Sequence, residues 1–249
     1  MPNLFRAAAL AALGALTLSA PLAAKPADYA RVIADPARSA DDRKLDEGRK
    51  PAEILDFAGV RKGQVVVDFF AGSGYYSTMM ARAVGPRGTV YVLNPPSFHD
   101  AKAWDALLPK YPNIRVLVAE VAAMQLAPAS VDTIFTNLNY HDLYWESVKN
   151  NYPRVDVPAV LAGWFRAVRP GGHVVIVDHV GPAGDPREVV EKMHRIDPAQ
   201  VKADMAAAGF VLEAESPVLG NPADDHTKGV FNPAIRGKTD RFVLKFRRP

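Results

Sequence analysis

The sequence predicts an α/β fold, a doubly wound sheet that is mostly parallel and has helices on both faces. Three observations carry that expectation. Short runs rich in β-branched residues recur at 65–70, 89–93, 114–118, 131–136 and 173–177. Segments of helical periodicity separate them, at 77–84 and 157–168, and such alternation builds parallel sheets. The strand runs are almost continuously apolar, as expected of strands covered on both faces.

Taken in order, residues 1–24 hold one charge, Arg6, followed by an apolar run broken by Gly14, Ser19 and Pro21. That run is short of the roughly 20 apolar residues a membrane span needs. A cationic start, an apolar middle and the small pair Ala23-Ala24 read as a secretory signal peptide, which implies a periplasmic or secreted protein. Residues 25–249 then read as one domain, opened by a charged helical extension at 25–50. The densest charge, at 35–50, reads as a solvated helix and turn. Pro51 suits the first turn of the next helix. After the fifth strand the rhythm breaks. A helix at 198–208 closes at Gly209, a strand follows at 210–215, and 241–246 reads as a last strand. Between these two strands, 217–240 carries Gly220, Pro222, Gly229, Pro233 and Gly237. Connections of that length are usually lids or disordered. In the closing basic run, Arg241, Lys245 and Arg247 alternate with Phe242, Leu244 and Phe246, which is a strand with solvated ends. Arg236 and Lys238, just before it, are expected to return to the site edge.

Composition excludes several classes. The 249 residues carry 30 Lys and Arg against 27 Asp and Glu, a net charge of +3. That balance argues against a nucleic-acid binder. Without cysteine there is no disulfide frame, thiol nucleophile or zinc–thiolate site. The expected partner is a small-molecule substrate, with no nucleic acid and no stable membrane insertion once the leader is cleaved.

The most informative stretch is VVVDFFAGSGYYSTMMARAVG, residues 65–85. A strand ends near Asp68, a Gly72-Ser73-Gly74 turn follows, and a helix begins. Glycines there let a ligand approach bare backbone, and the free N–H groups of the helix face the same crevice. A dinucleotide fingerprint would place Gly or Ala three residues on, but Ser77 stands there. The Asp68 carboxylate would repel a pyrophosphate and suits a ligand with a positive centre. A nicotinamide oxidoreductase is therefore disfavoured.

The ordered set Asp68-x-x-x-Gly72-x-Gly74, Asp132 and Arg169-Pro170-Gly171-Gly172 resembles the class I S-adenosylmethionine-dependent methyltransferases. It is closest to a group of small methyltransferases related to the ubiquinone/menaquinone-biosynthesis C-methyltransferases, through RKPAEIL, NLNYHDLY, HRID and IRGKTDRF (49–55, 137–144, 194–197, 235–242). The resemblance implies seven strands with the last antiparallel, and S-adenosylmethionine laid across the carboxyl ends of the first strands. It also implies cofactor contacts from Asp68, from the turn Ala71, Gly72, Ser73 and Gly74, from Asn94, Glu120 and Asn137. Asn94 departs from the pattern, which has an acid for the ribose hydroxyls. An amide can accept from one hydroxyl and donate to the other, without the carboxylate's charge. On that view Asn94→Asp should tighten binding.

Three candidates for chemistry on the acceptor, Tyr140, His141 and Asp142, follow the fourth strand. Imidazole is the side chain suited to proton transfer near neutral pH, and a neighbouring carboxylate can orient it. Asp178-His179 follows the fifth strand on the same edge and offers an alternative partner. These groups with Asn139 do not by spacing demand a metal. The aromatics Tyr75, Tyr76, Tyr140, Tyr144, Trp145 and Tyr152 fit either a planar substrate or packing. Arg169-Pro170-Gly171-Gly172 reads as a structural turn into the fifth strand, and Asn94-Pro95-Pro96-Ser97 as a rigid turn. The functional expectation is methyl transfer to a small planar acceptor. Its rival is a non-catalytic ligand-binding protein on the same fold, favoured by export and by Asn94.

Overall fold

The computed structural model describes residues 28–249. The expected leader at 1–24 lies outside them. Four short helices come first: α1 (Tyr29–Ile33), α2 (Ala40–Lys44), α3 (Asp46–Arg49) and α4 (Pro51–Ala58). The alternating core follows: β1 (Val65–Phe69), α5 (Tyr75–Val84), β2 (Thr89–Asn94), α6 (Ala101–Leu107), β3 (Ile114–Val118) and β4 (Val131–Asn137). Then come α7 (Val157–Ala167), β5 (Val168–His179), α8 (Pro186–Met193), α9 (Pro198–Ala207), β6 (Val211–Ser216) and β7 (Arg241–Arg247).

The seven strands form one sheet in the order β3-β2-β1-β4-β5-β7-β6. Parallel pairing runs from β3 to β5, and β7 enters antiparallel to both of its neighbours. The alternation of side chains along each strand divides the core in two. Val66, Val90 and Val175 pack under α4 and α5 with Ile54, Met79 and Met80. Val67, Phe69 and Ile134 pack against α7 and α9 with Leu161, Trp164 and Met205.

One expected boundary and one expected role need correction. The fifth strand begins at Val168, and Arg169-Pro170-Gly171-Gly172 makes its expected turn as an irregularity within it, with Gly171 at φ +75° and a register shift against β4 between Val131 and Thr133. The charged segment at 35–50 is more than a solvated turn. Arg38 has a nearly inaccessible side chain that pairs with Asp46, and Asp35 accepts from Arg82 Nε at 2.6 Å. These pairs hold the segment against α5, where Tyr75 donates to Asp46 at 2.7 Å.

Candidate functional site

The carboxyl ends of β1, β2, β4 and β5 meet along one edge, the place where open α/β sheets receive ligands. Its first half is the glycine turn. Gly72 has φ +56° and nothing within 4 Å of where a Cβ would stand, so its surface is open to a ligand. Gly74 has φ +89°, and a Cβ there would meet the Trp104 ring at 2.8 Å. The turn is held from outside by two donors on one oxygen. Trp104 Nε1 and Asn94 Nδ2 donate to the Gly72 carbonyl at 2.9 and 3.2 Å. Phe70, directly after β1, adopts φ +59°, a strained conformation for a bulky residue. It is buried against Phe69 and Phe98.

The structure brings Ala71, Gly72, Ser73, Asn94, Glu120 and Asn137 to this edge, and it gives Asp68 a different task from the expected one. Asp68 is buried within β1 and accepts from Ser77 Oγ at 2.5 Å. It therefore clamps the strand to the first turn of α5 rather than facing the crevice. Burial pushes its carboxyl up to about 7 against the opposing bonds from Ser77. Ser77, standing where another fold would need glycine, is the partner of this clamp. Asn94 is likewise fully buried. Its amide donor is used on Gly72, and its Oδ1 has no partner among the described residues.

The second half is a cleft of about 1100 Å³ further along the edge, and none of Ala71, Gly72, Ser73, Gly74, Asn94, Glu120 or Asn137 lines it. Its wall runs from Phe98 through Leu138 and Asn139 to His141, Asp142 and His179. The roof comes from α2 and α3 on one side and from 217–240 on the other. That long connection is ordered by a buried ion pair. Arg195 Nη2 donates to both oxygens of Asp224, at 3.0 and 2.8 Å, and both side chains are inaccessible. The same guanidinium donates to the carbonyls of Lys228 and Val180, so a single residue ties the connection to the end of β5.

Beneath the roof, Asp178 is fully buried at the end of β5. It accepts from the backbone N–H of His141 and of His179, and from His141 Nδ1 at 2.8 Å. Asp142 lies 3.5 Å from His141 Nε2 and accepts from Asn139. Burial alone would lower the His141 imidazole, but the charges of Asp178 and Asp142 outweigh it and hold the ring up to about 9. The raised value favours the protonated ring over the neutral base expected at His141. His179 differs. Burial, aided by the His141 and Arg241 charges, pushes it down to about 3. It is neutral and shares a 2.7 Å hydrogen bond with Thr239 through Nδ1. His194, also lowered by burial, lies between the rings of His141 and Trp145.

Tyr140 does not reach the cleft. It is completely buried, with its hydroxyl donating to Asp204 at 2.9 Å. Apart from Trp145, the edge aromatics are packing residues, buried at Tyr75, Tyr76, Tyr140, Tyr144 and Tyr152. Among the described residues, no group of three or more His, Asp or Glu has an arrangement suited to a metal ion. Sequence reasoning missed Arg49 and Arg241, both in the cleft wall. The signals available were the segments RKPAEIL and IRGKTDRF, which contain them, and the place of Arg241 at the first residue of a strand that begins at the site edge.

Comparison with known proteins agrees with this geometry. Residues 67–176 match the family described as Methyltransferase domain. A malonyl-[acyl-carrier protein] O-methyltransferase from Xylella fastidiosa is 34% identical over 126 residues, covering 48% of this chain and 36% of that protein. A ubiquinone/menaquinone biosynthesis C-methyltransferase from Pasteurella multocida is 24% identical over 134 residues, covering 53% and 46%. The chain thus spans less than half the length of either relative. Among solved structures, an S-adenosylmethionine-dependent methyltransferase from Aquifex aeolicus shares the fold, with TM-score 0.59 and 21% identity over 84% of this chain and 98% of that one.

Proposed function

We propose that the chain is a class I S-adenosylmethionine-dependent methyltransferase, a reading supported by its methyltransferase-domain match and its fold, and that it transfers the methyl group to a small acceptor seated in the cleft. The observation that carries this reading is that the open face of Gly72 and a cleft of about 1100 Å³ share the carboxyl edge, linked by Phe98, which lines the cleft and packs on Phe70 just before the turn. Two features fit the cofactor. The exposed backbone of Gly72 is a surface on which it can lie, and the unpartnered Asn94 Oδ1 is an acceptor for a ribose hydroxyl. Ala71, Ser73, Glu120 and Asn137 complete the set that would hold it. When bound, the cofactor supplies an electrophilic methyl on a sulfonium.

The residues of the chain then align the acceptor and exclude water, which accounts for most of the catalysis in an in-line displacement. His141, oriented by Asp178 through Nδ1 and facing Asp142 through Nε2, positions a polar group of the acceptor at this wall of the cleft. His179, neutral and tethered to Thr239, offers a hydrogen bond to the same group. Asp142 and Asn139 hold the position of the His141 ring. The planar shape of the acceptor is part of the proposal, supported by Phe98, Trp145 and Phe231 around the cleft. Export is proposed from the leader alone.

The test is calorimetric titration of S-adenosylmethionine into wild type and Gly72→Ala. Alanine adopts φ +56° at a cost of about 1 kcal/mol, so the variant should fold. Wild type should bind and the variant should bind at least tenfold more weakly. Equal affinities would remove the turn from the cofactor site.

A further inference from the structure

The cleft is strongly cationic although the chain as a whole is nearly balanced. Six Lys and Arg side chains line it, namely Lys44, Arg49, Lys50, Arg236, Lys238 and Arg241, against the acids Glu47 and Asp142. Lys44 is satisfied by Asp41 at 2.8 Å. Arg241 is the unusual member. It is 6% exposed, yet no carboxylate stands within ion-pair distance of it among the described residues. Its guanidinium donates to Thr239 Oγ1 and to the carbonyls of Gly48 and Gly237, at 3.2, 2.9 and 3.1 Å. That uses three of its five N–H groups. A buried charge without a paired counter-charge is costly, and the opposing charge it does feel, Asp178, is bonded to His141 instead.

Arg49 is the second member. Its guanidinium stacks 4.4 Å above the Tyr75 ring and likewise has no carboxylate partner. The contact from Arg241 to Gly48 O brings the two residues to the same wall, and each repels the other's charge.

We propose that Arg241 and Arg49 form a subsite for an oxyanion, a carboxylate or a phosphate, carried by the methyl acceptor. The body of the acceptor then lies against Phe98, Trp145 and Phe231. A guanidinium with N–H groups left over presents the fork geometry that planar oxyanions match. The cofactor also carries a carboxylate, but the sheet order separates the two positions. Arg241 opens β7, three strand spacings from β1, or about 14 Å. The cofactor turn follows β1, so Arg241 lies on the far side of the cleft from it, whereas Arg49, stacked on Tyr75 just after the turn, stands between the two positions and is the residue the test must assign. This inference rests on the proposed methyl transfer, and its test separates the two.

The probes are benzoate, phenyl phosphate and the neutral benzamide, titrated into the full chain loaded with S-adenosylhomocysteine. An anionic probe should bind at least tenfold more tightly than benzamide, about 1.4 kcal/mol. The tighter of the two anions names the oxyanion. Arg49→Gln should weaken the anionic probe by at least tenfold while leaving benzamide unchanged and S-adenosylhomocysteine within threefold. Arg241→Gln should do the same if it folds. Because Arg241 also holds three backbone or hydroxyl oxygens, Arg241→Lys serves beside it and should retain part of the preference. Equal binding of benzoate and benzamide, or no binding of either anion, overturns the subsite. Loss of S-adenosylhomocysteine in step with benzoate in Arg49→Gln also overturns it, by assigning the charge to the cofactor's own carboxylate. A wild type that binds benzoate but no S-adenosylhomocysteine would sink methyl transfer and leave the oxyanion subsite standing.

Discussion

The two halves of the carboxyl edge are built in opposite ways. The glycine turn is assembled from neighbours in sequence: Asp68 clamps Ser77, and Gly72 and Gly74 supply the backbone shape. The cleft is assembled from residues far apart. Arg195 reaches Asp224 and Lys228, and Arg241 reaches Gly48 across nearly the whole chain. The turn therefore depends on local backbone geometry, whereas the cleft depends on buried charges finding distant partners. Damage to one should spare the other.

The largest effect is expected from Arg195→Ala. It leaves Asp224 buried without a partner, a defect that costs about 3–5 kcal/mol. In a chain of this size that lowers Tm by about 10 °C. Thermal melts should show the loss, while S-adenosylhomocysteine affinity at low temperature stays within threefold. A parallel loss of cofactor affinity would erase the division between the halves.

A smaller effect separates two readings of Asn94. The sequence suggested that an acid there would tighten ribose binding. The structure argues for the opposite outcome, because the amide donates to Gly72 O in a fully buried site. Asn94→Asp removes the donor and sets a carboxylate against a carbonyl oxygen, at about 1–3 kcal/mol. Tm should fall and cofactor affinity should drop about tenfold by calorimetry. Tighter binding would restore the carboxylate reading.

The smallest effect lies in the pH dependence of the cleft. The His179 imidazole is pushed from 6.5 down to about 3 in the folded chain. The unfolded chain takes up this proton first, so the associated stability is full above about 6.5 and is lost as pH falls toward 3. His179→Gln should flatten that part of the acid limb in melts recorded from pH 7 to 4. His141 has the opposite sign. Its pKa is raised to about 9, so its contribution is full below 6.5 and is lost as pH rises through 9. An acid limb unchanged in His179→Gln would mean that the ring does not hold its neutral state in the fold.

The same contrast explains what could be read from the sequence. All seven strands were legible to within a residue or two, except for the start of β5, because continuous apolar runs have few other uses. The turn was legible because its residues are adjacent. Helices α6 and α8 were not, being short and rich in charged or small residues; Asp100 and Asp185 start them by accepting from backbone N–H groups. Arg241 looked like the polar end of an amphipathic strand. Only the sheet order, with β7 set between β5 and β6, turns that end into a cleft wall. Tyr140 looked like part of the site because it adjoins His141, but the 3-10 turn at His141–Leu143 sends the two side chains to different places.

The position of β7 also sets a timetable. During synthesis the glycine turn and the strands on either side of it exist once the ribosome has passed Asn137. The cleft must wait for residue 241 and for a strand to slide between two others that are already made. Closures over such sequence separations are slow. Until that moment β5 and β6 each present an unpaired edge, the surface through which nascent chains associate wrongly. A growing chain can thus possess a cofactor platform before it possesses anywhere to put an acceptor, and the last insertion both completes the cleft and removes the exposed edges.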